Sequence, residues 1–591
     1  MVLSAGSRIV AVALCSVWLL PASAPAQQLP SAGDALRDLR PLNQPPAQPN
    51  TPSATLEVVP EARPAMPNVP GLRVELKSFR ISGLTAFSER QLLPLLEPRL
   101  GPNRSFADLQ AAAEAVADHL RAAGYFLVRA YLPAQEIKDG QVEIAVFEGR
   151  IGRVPKPTRT GEIRVSEEAV DALLSPLRPG TLIREDNIER ALFLLGDLKG
   201  LQVKSVLRPG DLNGTADLLV ELSPPCAGEQ TQWPVRRYTD CRFEATAEAD
   251  NLGSRYTGEW RTGGSLTWIG PLRRGDSLSL RVMLTSTGGL SFGRMAYLLP
   301  VGPYGSKVGA AYSKLSYRLG TDAFDDLDAY GSADVVSVFA THPFKRGRNL
   351  NLFATLGYDQ RKMSDLIASV GIANERTIDA AQLNFVGDSR DRLFGGGINN
   401  FSIALTAGRL NILTADALAL DTATGSNTQG TYQRWSASYT RLQALGTTLL
   451  GYFSTTAQLA SKNLDRSEKL SGGGPDAVRA YAAGEAAADE VVIATAELRA
   501  PIPRPQGMSI PGEFVGILFA DASQGRINKV ALPNDTAPNR RRLAGVGLGL
   551  TWGRPDDFLL RATAAWRVSG PPAGDPVDRR PRLYVQLSKS L

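Results

Sequence analysis

The amino-acid sequence predicts two small α+β modules of order β-α-α-β-β, followed by a transmembrane antiparallel β-barrel of about sixteen strands. Three observations carry this. A pattern of strand, two helices and two strands occurs over residues 72–150 and again over 151–223, a repeat of about 75 residues. From about residue 242 the apolar period changes from helical to two and stays there to the C-terminus. After the first 26 residues no stretch approaches the roughly eighteen apolar residues of a spanning helix, which leaves a closed barrel as the way across a bilayer.

At 591 residues the chain is long enough for several domains. Residues 1–26 read as an export signal: Arg8, the apolar run Ile9 to Leu20, and small residues at Ala24-Pro25-Ala26. Residues 27–71 begin with a short helical stretch, SAGDALRDLRPL, and continue as a Pro-rich extended tether.

The first module opens on the strand LRVELKSFRISG and a helix capped by Ser88. A longer helix follows, with Ser105 and Asp108 at capping-box spacing, Leu109, Ala113, Val116 and Leu120 on one face, and Gly124 beyond its end. The strands FLVRAYLP and QVEIAVFEG complete it, with a turn expected at Asp139-Gly140. The second module repeats the order from GEIRV onward and turns at Asn213-Gly214. Each module presents a sheet edge that can accept an extended peptide.

In the barrel region, Leu278, Leu280, Val282 and Leu284 share one strand face, as do Leu350, Leu352, Ala354, Leu356 and Tyr358, Phe401, Ile403, Leu405 and Ala407, and Leu583, Val585, Leu587 and Leu591. The opposite faces carry Ser, Asn, Thr, Gly and Arg and suit a wet lumen. About 350 residues shared among sixteen strands leave about 22 for each strand with its connection, the spacing of ten-residue strands with turns.

Composition narrows the function. A net charge of +6, from 65 basic and 59 acidic residues, with no basic run, does not point to nucleic acid. Two histidines cannot build a zinc site, and no P-loop, nucleophile elbow or cysteine nucleophile is present, so neither an enzyme nor a cofactor or metal is expected. Cys226 and Cys241 are a possible disulfide if their Cα atoms approach within about 7 Å; two unpaired thiols are the alternative.

One segment stands apart. GGGPDAVRAYAAGEAAADE, residues 472–490, holds a lone arginine, Arg479, in a Gly/Ala-rich loop. Inside a lumen its guanidinium must meet a carboxylate or cost several kcal/mol. The alternative is a solvated arginine on an extracellular loop.

The order of export signal, Pro-rich tether, two β-α-α-β-β modules and alternating barrel resembles the two-partner secretion transporters, the hemolysin activation/secretion proteins of the superfamily that contains the BamA insertase. The resemblance covers essentially the whole chain beyond the signal, and it identifies the modules as POTRA domains. In that family a loop with the motif V-R-G-Y folds into the barrel and its arginine pairs with the aspartate of F-x-D-x-G on a later strand. Here Val478-Arg479-Ala480-Tyr481 and Phe519-Ala520-Asp521-Ala522-Ser523 match, with Ala480 and Ser523 in place of glycines. The resemblance implies a loop latch of Val478, Arg479, Tyr481, Phe519 and Asp521. Alanine resists the positive φ that glycine permits, so the backbone at 480 is open to question. Asp521 shares strand parity with Val515, Ile517 and Phe519, so an inward carboxylate brings apolar residues inward too; either a bulge intervenes or the loop covers them. DNLGSRYTGEW, from Asp250, resembles the family's first barrel strand and reads equally as a turn.

The resemblance implies a pore in the outer membrane of a Gram-negative bacterium, with POTRA domains in the periplasm that recognise a secreted partner. That partner would be a large β-helical exoprotein such as a hemolysin or filamentous adhesin, and the pore would translocate it to the cell surface. Outer-membrane lipids and the barrel assembly machinery are further implied partners. An insertase of other barrels and a passive solute porin are the alternatives; two modules on a proline tether favour secretion.

Overall fold

The computed structural model describes residues 30–39, 54–58, 71, 73–212, 214–225, 242–320, 324–503, 510–533, 537–555, 557–570, 572 and 577–591. The expected signal segment, Cys226, Cys241 and Asn213 lie outside the described residues.

The short N-terminal helix is α1, Ala32–Asp38, with Ser31 and Asp34 forming a capping box. One piece of the Pro-rich stretch is β1, Ala54–Val58. The first module contains β2 (Arg73–Leu76), β3 (Ser78–Ser82), α2 (Glu89–Leu96), β4 (Gly101–Ser105), α3 (Phe106–Ala122), β5 (Arg129–Tyr131) and β6 (Gln141–Phe147). Its sheet runs β3-β6-β5, with β2 paired to β4 alongside. Ser88 and Ser105 cap α2 and α3 in capping boxes, and the Ser105 hydroxyl accepts from the Asp108 amide. Asp139 and Gly140 both take positive φ in the tight turn before β6. Leu109, Ala113, Val116 and Leu120 are buried against Val142, Ile144 and Val146 of β6.

The second module contains β7 (Arg150–Ile151), β8 (Thr158–Arg159), α4 (Glu167–Leu174), α5 (Glu185–Gly196), β9 (Gln202–Pro209) and β10 (Thr215–Ser223). Its opening strand differs from expectation. GEIRV does not join the sheet; Val165 bridges Arg274 in a barrel turn instead, and the Ser166 amide donates to the Arg273 carbonyl at 2.6 Å. The short strands β7 and β8, parallel to β10, take the place meant for it.

Beyond the modules, sixteen antiparallel strands from Phe243–Asp250 to Arg582–Ser590 close into a barrel. Closure joins first to last, with Thr246 opposite Ser590 and Asp250 opposite Gln586. Of DNLG, Asp250 is the last residue of the first strand, and Asn251, Leu252 and Gly253 lie in the connection after it. Asn251 pins the seam, accepting from the Val585 amide at 2.7 Å and donating to the Leu583 carbonyl at 3.0 Å. Helical structure also returns, in the α-helix Ala415–Ala423 between two strands and in short 3-10 turns such as Asp325–Leu327, where an exclusively β region was expected.

The alternating apolar faces point outward. Leu280, Val282, Leu284, Leu356, Ile403 and Leu587 are exposed while their neighbours Met283 and Thr285 are buried. A band of exposed branched side chains on a closed sheet fits hydrocarbon and not water.

Helix α5 docks the second module on the barrel. Arg346, fully buried in the connection after strand Ala329–Lys345, donates to both Asp197 oxygens, Nε at 2.9 Å and Nη2 at 2.7 Å. It lies over the rings of Phe193 and Phe353, and its Nη1 donates to Asn351 at 2.8 Å. Arg348 pairs with Glu189 at 3.2 Å, and Arg190 donates to the Pro343 carbonyl at 2.7 Å. Removing one partner of such a buried pair strands the other charge, at about 3–5 kcal/mol. Arg346→Ala should therefore loosen α5 from the barrel, read as faster amide hydrogen exchange across residues 185–196 with the barrel amides unchanged.

Candidate functional site in the barrel lumen

Two pieces of chain enter the lumen. The first is α1. A seven-residue helix is marginal in isolation, so its packing holds it. Ala32, Ala35, Leu36 and Leu39 are buried against Met283, Phe292, Leu315, Tyr317, Met363 and Ile378, which project inward from successive strands. Here the lumen wall is apolar, contrary to the uniformly wet interior expected.

Polar contacts orient the helix. The Ala32 amide donates to Asp365 at 2.6 Å, Asp365 pairs with Arg376 at 3.0 Å, and Arg376 reaches Asp465 at 3.1 Å. Asp34 pairs with Arg466 at 3.0 Å and with Arg37 at 2.7 Å. Burial alone would push the Asp34 carboxyl up, but Arg466 and Arg37 outweigh it and hold it well below the usual carboxylate range. Its stabilising charge is therefore present above the ordinary carboxylate pKa and fades only in strong acid.

The second piece is the connection between strands Leu450–Ala460 and Glu490–Ile502, which contains Arg466 and Arg479. A two-residue ladder, Leu470 opposite Ala488 and Ser471 opposite Ala487, closes the base of its tip. Lys469 and Asp489 pair beside that ladder at 3.3 Å.

At the tip, Arg479 meets Asp521 on strand Glu513–Arg526 in a fork: Nε to Oδ2 at 2.8 Å and Nη2 to Oδ1 at 2.8 Å, with the Arg479 amide donating to Oδ2 at 3.1 Å. The third nitrogen, Nη1, reaches Glu497 at 2.8 Å, and the guanidinium carbon sits 3.5 Å from the centre of the Phe519 ring. Thr495 donates to Asp521 at 3.0 Å. Two carboxylates and a ring face satisfy a mostly buried cation.

Tyr481 extends the anchorage. Its hydroxyl donates to the carbonyls of Ser569 and Gly570, and Tyr584 donates to the Tyr481 carbonyl at 2.8 Å. Val478 and Tyr481 are buried with Ile517, Phe519, Leu543 and Ala565. The five residues of the expected latch are thus brought together. Sequence reasoning missed Glu497, the second carboxylate, which shares inward parity with Thr495 on the neighbouring strand.

Both open points about this loop now have answers. Strand Glu513–Arg526 keeps unbroken register with Glu490–Ile502 and Arg540–Arg554, so no bulge reorients Asp521; the loop covers Ile517 and Phe519 instead. Neither Ala480 nor Ser523 takes a positive φ, so alanine meets no backbone penalty at 480. The wall makes room for it. A Cβ at Gly545 would lie 2.6 Å from the Ala480 Cβ, and one at Gly547 would lie 2.2 Å from Phe519. The alternating glycines of GVGLGL form the floor under the loop.

The geometry agrees with comparisons to known proteins. Residues 74–149 match the model of the POTRA domain, ShlB-type, and residues 234–552, more than half of the chain, match that of the haemolysin secretion/activation protein ShlB/FhaC/HecB. The chain belongs to this haemolysin secretion/activation family. It is a two-partner secretion transporter of the outer membrane, with its POTRA region in the periplasm. The heme/hemopexin transporter protein HuxB of Haemophilus influenzae is 23% identical over 477 residues, 80% of each chain. The outer membrane transporter CdiB of Escherichia coli is 23% identical over 412 residues, 68% of this chain and 64% of that protein. Among solved structures, CdiB from Escherichia coli superposes with a TM-score of 0.69 at 18% identity, covering 95% of this chain and 100% of that one. CdiB from Acinetobacter baumannii gives 0.62 at 17%, covering 94% and 97%.

Two predictions follow for the transporter's lumen. Gly545→Val should unseat the loop tip, seen as new protease cleavage within residues 472–486 while the barrel stays folded. For α1, burial of two leucines, at about 1.5–3 kcal/mol each, outweighs a partly exposed ion pair worth about 1 kcal/mol or less. Leu36→Ala with Leu39→Ala should therefore raise open-channel conductance in planar bilayers more than Arg466→Ala does.

Proposed function

We propose that the POTRA modules recognise an exported partner protein in the periplasm and that α1 and the loop tip occupy its route through the resting barrel. The observation that carries this is the double occupancy of the lumen by segments held through side chains, with Arg466 and Arg479 on one inter-strand connection. A passive solute porin has no use for periplasmic modules docked through a buried arginine, and an insertase is less well supported by the family match. The partner is a large β-helical exoprotein, and its folding outside supplies the drive; the chain performs no catalysis. Residues 1–26 serve as signal, 27–71 as helix and tether, 72–150 and 151–223 as POTRA modules and 242–591 as the barrel.

Val478, Arg479, Tyr481, Phe519 and Asp521 act as the latch. Its role is to hold the tip against the wall while a polypeptide passes or waits. Loss of Arg479 leaves the buried Asp521 without its cation, at a cost of about 3–5 kcal/mol, while Glu497 keeps Arg499 at 2.6 Å. Arg479→Ala should strongly reduce export of a co-expressed partner exoprotein that the wild-type protein exports, while outer-membrane level and barrel assembly, followed by heat-modifiable gel mobility, stay nearly normal. Wild-type export by that variant would remove the latch from the proposal.

A further inference from the structure

On one side of the barrel the outward face breaks its apolar pattern. Lys314 of strand Ser306–Arg318, Asp334 of Ala329–Lys345 and Lys362 of Leu350–Ile367 stand opposite one another in register. The row continues to Thr377 of Ile372–Asp391 and Asn411 of Gly397–Ile412. One step nearer the periplasm a second row runs Gln360, Asp379 and Arg409. Parity sets the direction of these side chains: Ser313, Val335 and Met363 beside them are buried, whereas Gln360, Lys362 and Arg409 are exposed.

Their depth follows from the strand. Leu350 lies at the periplasmic rim, next to the turn where Arg346 grips Asp197. Outward from it come Leu352, Ala354 and Leu356, then Tyr358, Gln360 and Lys362. A spanning strand uses about 9–11 residues, so hydrocarbon ends near Tyr358 to Gln360 and Lys362 stands among the headgroups of the outer leaflet. Charge on the lipid face is costly at the midplane and tolerated at this level.

The carboxylates of the two rows are engaged by their neighbours. Tyr312 donates to Asp334, and Asp379 accepts from Tyr358 at 3.0 Å and from Gln360 at 3.2 Å. The cations are held less firmly. Lys314 reaches Asp334 only at 3.7 Å with its side chain 59% exposed, and among the described residues neither Lys362 nor Arg409 makes an ion pair. Lys314, Lys362 and Arg409 occupy alternate strands, which spaces them by about 10 Å across the sheet. Below them Leu356, Leu383 and Leu405 stand side by side, exposed on the same face.

We propose that this surface binds a phosphorylated glycolipid of the outer leaflet. Lys314, Lys362 and Arg409 take its phosphates, Thr377 and Asn411 its sugar hydroxyls, and the leucines its acyl chains. A single phosphate engages one cation, whereas a headgroup with two phosphates spans a pair of them. The site depends on the outer-membrane placement and not on the transport reading.

Native mass spectrometry of the purified full-length protein in detergent tests it, with diphosphorylated lipid A, dephosphorylated lipid A and phosphatidylglycerol as probes. Diphosphorylated lipid A should be retained several-fold more than either of the others. Lys314→Gln with Lys362→Gln and Arg409→Gln should lower that retention several-fold while heat-modifiable gel mobility stays unchanged. Asp334→Asn, which removes a negative charge from between Lys314 and Lys362, should raise it. Equal retention of the three lipids, wild-type retention by the triple variant, or unchanged or lower retention by Asp334→Asn would overturn the proposal. Displacement of lipid A by inorganic phosphate at equal concentration would overturn it as well, by marking a site for free phosphate instead.

Discussion

Hydrocarbon offers no water to an unpaired amide, so every strand that crosses must find a neighbour on both sides and the ladder must return to its own beginning. That constraint forces Asp250 to lie opposite Gln586 although 336 positions separate them in the chain. It also turns the sheet inside out relative to a water-borne protein. Leu280, Val282 and Leu284 face outward, and the polar side chains of the same strand face in.

A closed ring of sixteen strands encloses more space than its own side chains fill. This chain fills it with two of its own segments, and each is matched to the wall beneath it. Under α1 the wall is apolar and the helix presents leucine and alanine; under the loop tip the wall is glycine, aromatic ring and carboxylate, and the tip presents alanine, guanidinium and tyrosine. The two fits differ in kind. Apolar contact on a short helix is non-directional, whereas the Arg479 fork fixes direction and leaves stranded charge if broken. A parallel logic holds outside the barrel, where Arg346 between two phenylalanine rings joins module to pore.

The pairing of Arg479 with Asp521 was legible in the sequence, because a lone arginine in a Gly/Ala loop requires a carboxylate inside a lumen and the matching motif named Asp521. Glu497 escaped notice since no motif marks it; only the adjacency of its strand to that of Asp521 makes it a partner of Arg479. The apolar lumen patch did leave a trace. Where a covered wall interrupts the alternation, apolar residues come in runs, as in Val335-Val336 and Ile517-Leu518-Phe519, one side chain greasing the lipid face and the next meeting a plug. The GEIRV strand failed for a different reason: its local pattern is that of a strand, but the barrel turn at Arg273 and Arg274 competes for its backbone.

Local chemistry in the chain determined the helices with their serine caps, the repeat of two modules, the change to a period of two near residue 242 and the number of strands, because each depends on residues close in sequence. Tertiary structure alone decided where α1 lodges, that Ala54–Val58 becomes a strand of the second module, and that Glu497 joins Asp521 around Arg479. Those outcomes depend on which surfaces closure of the barrel and docking of α5 bring face to face, and no periodicity within one segment records its partner.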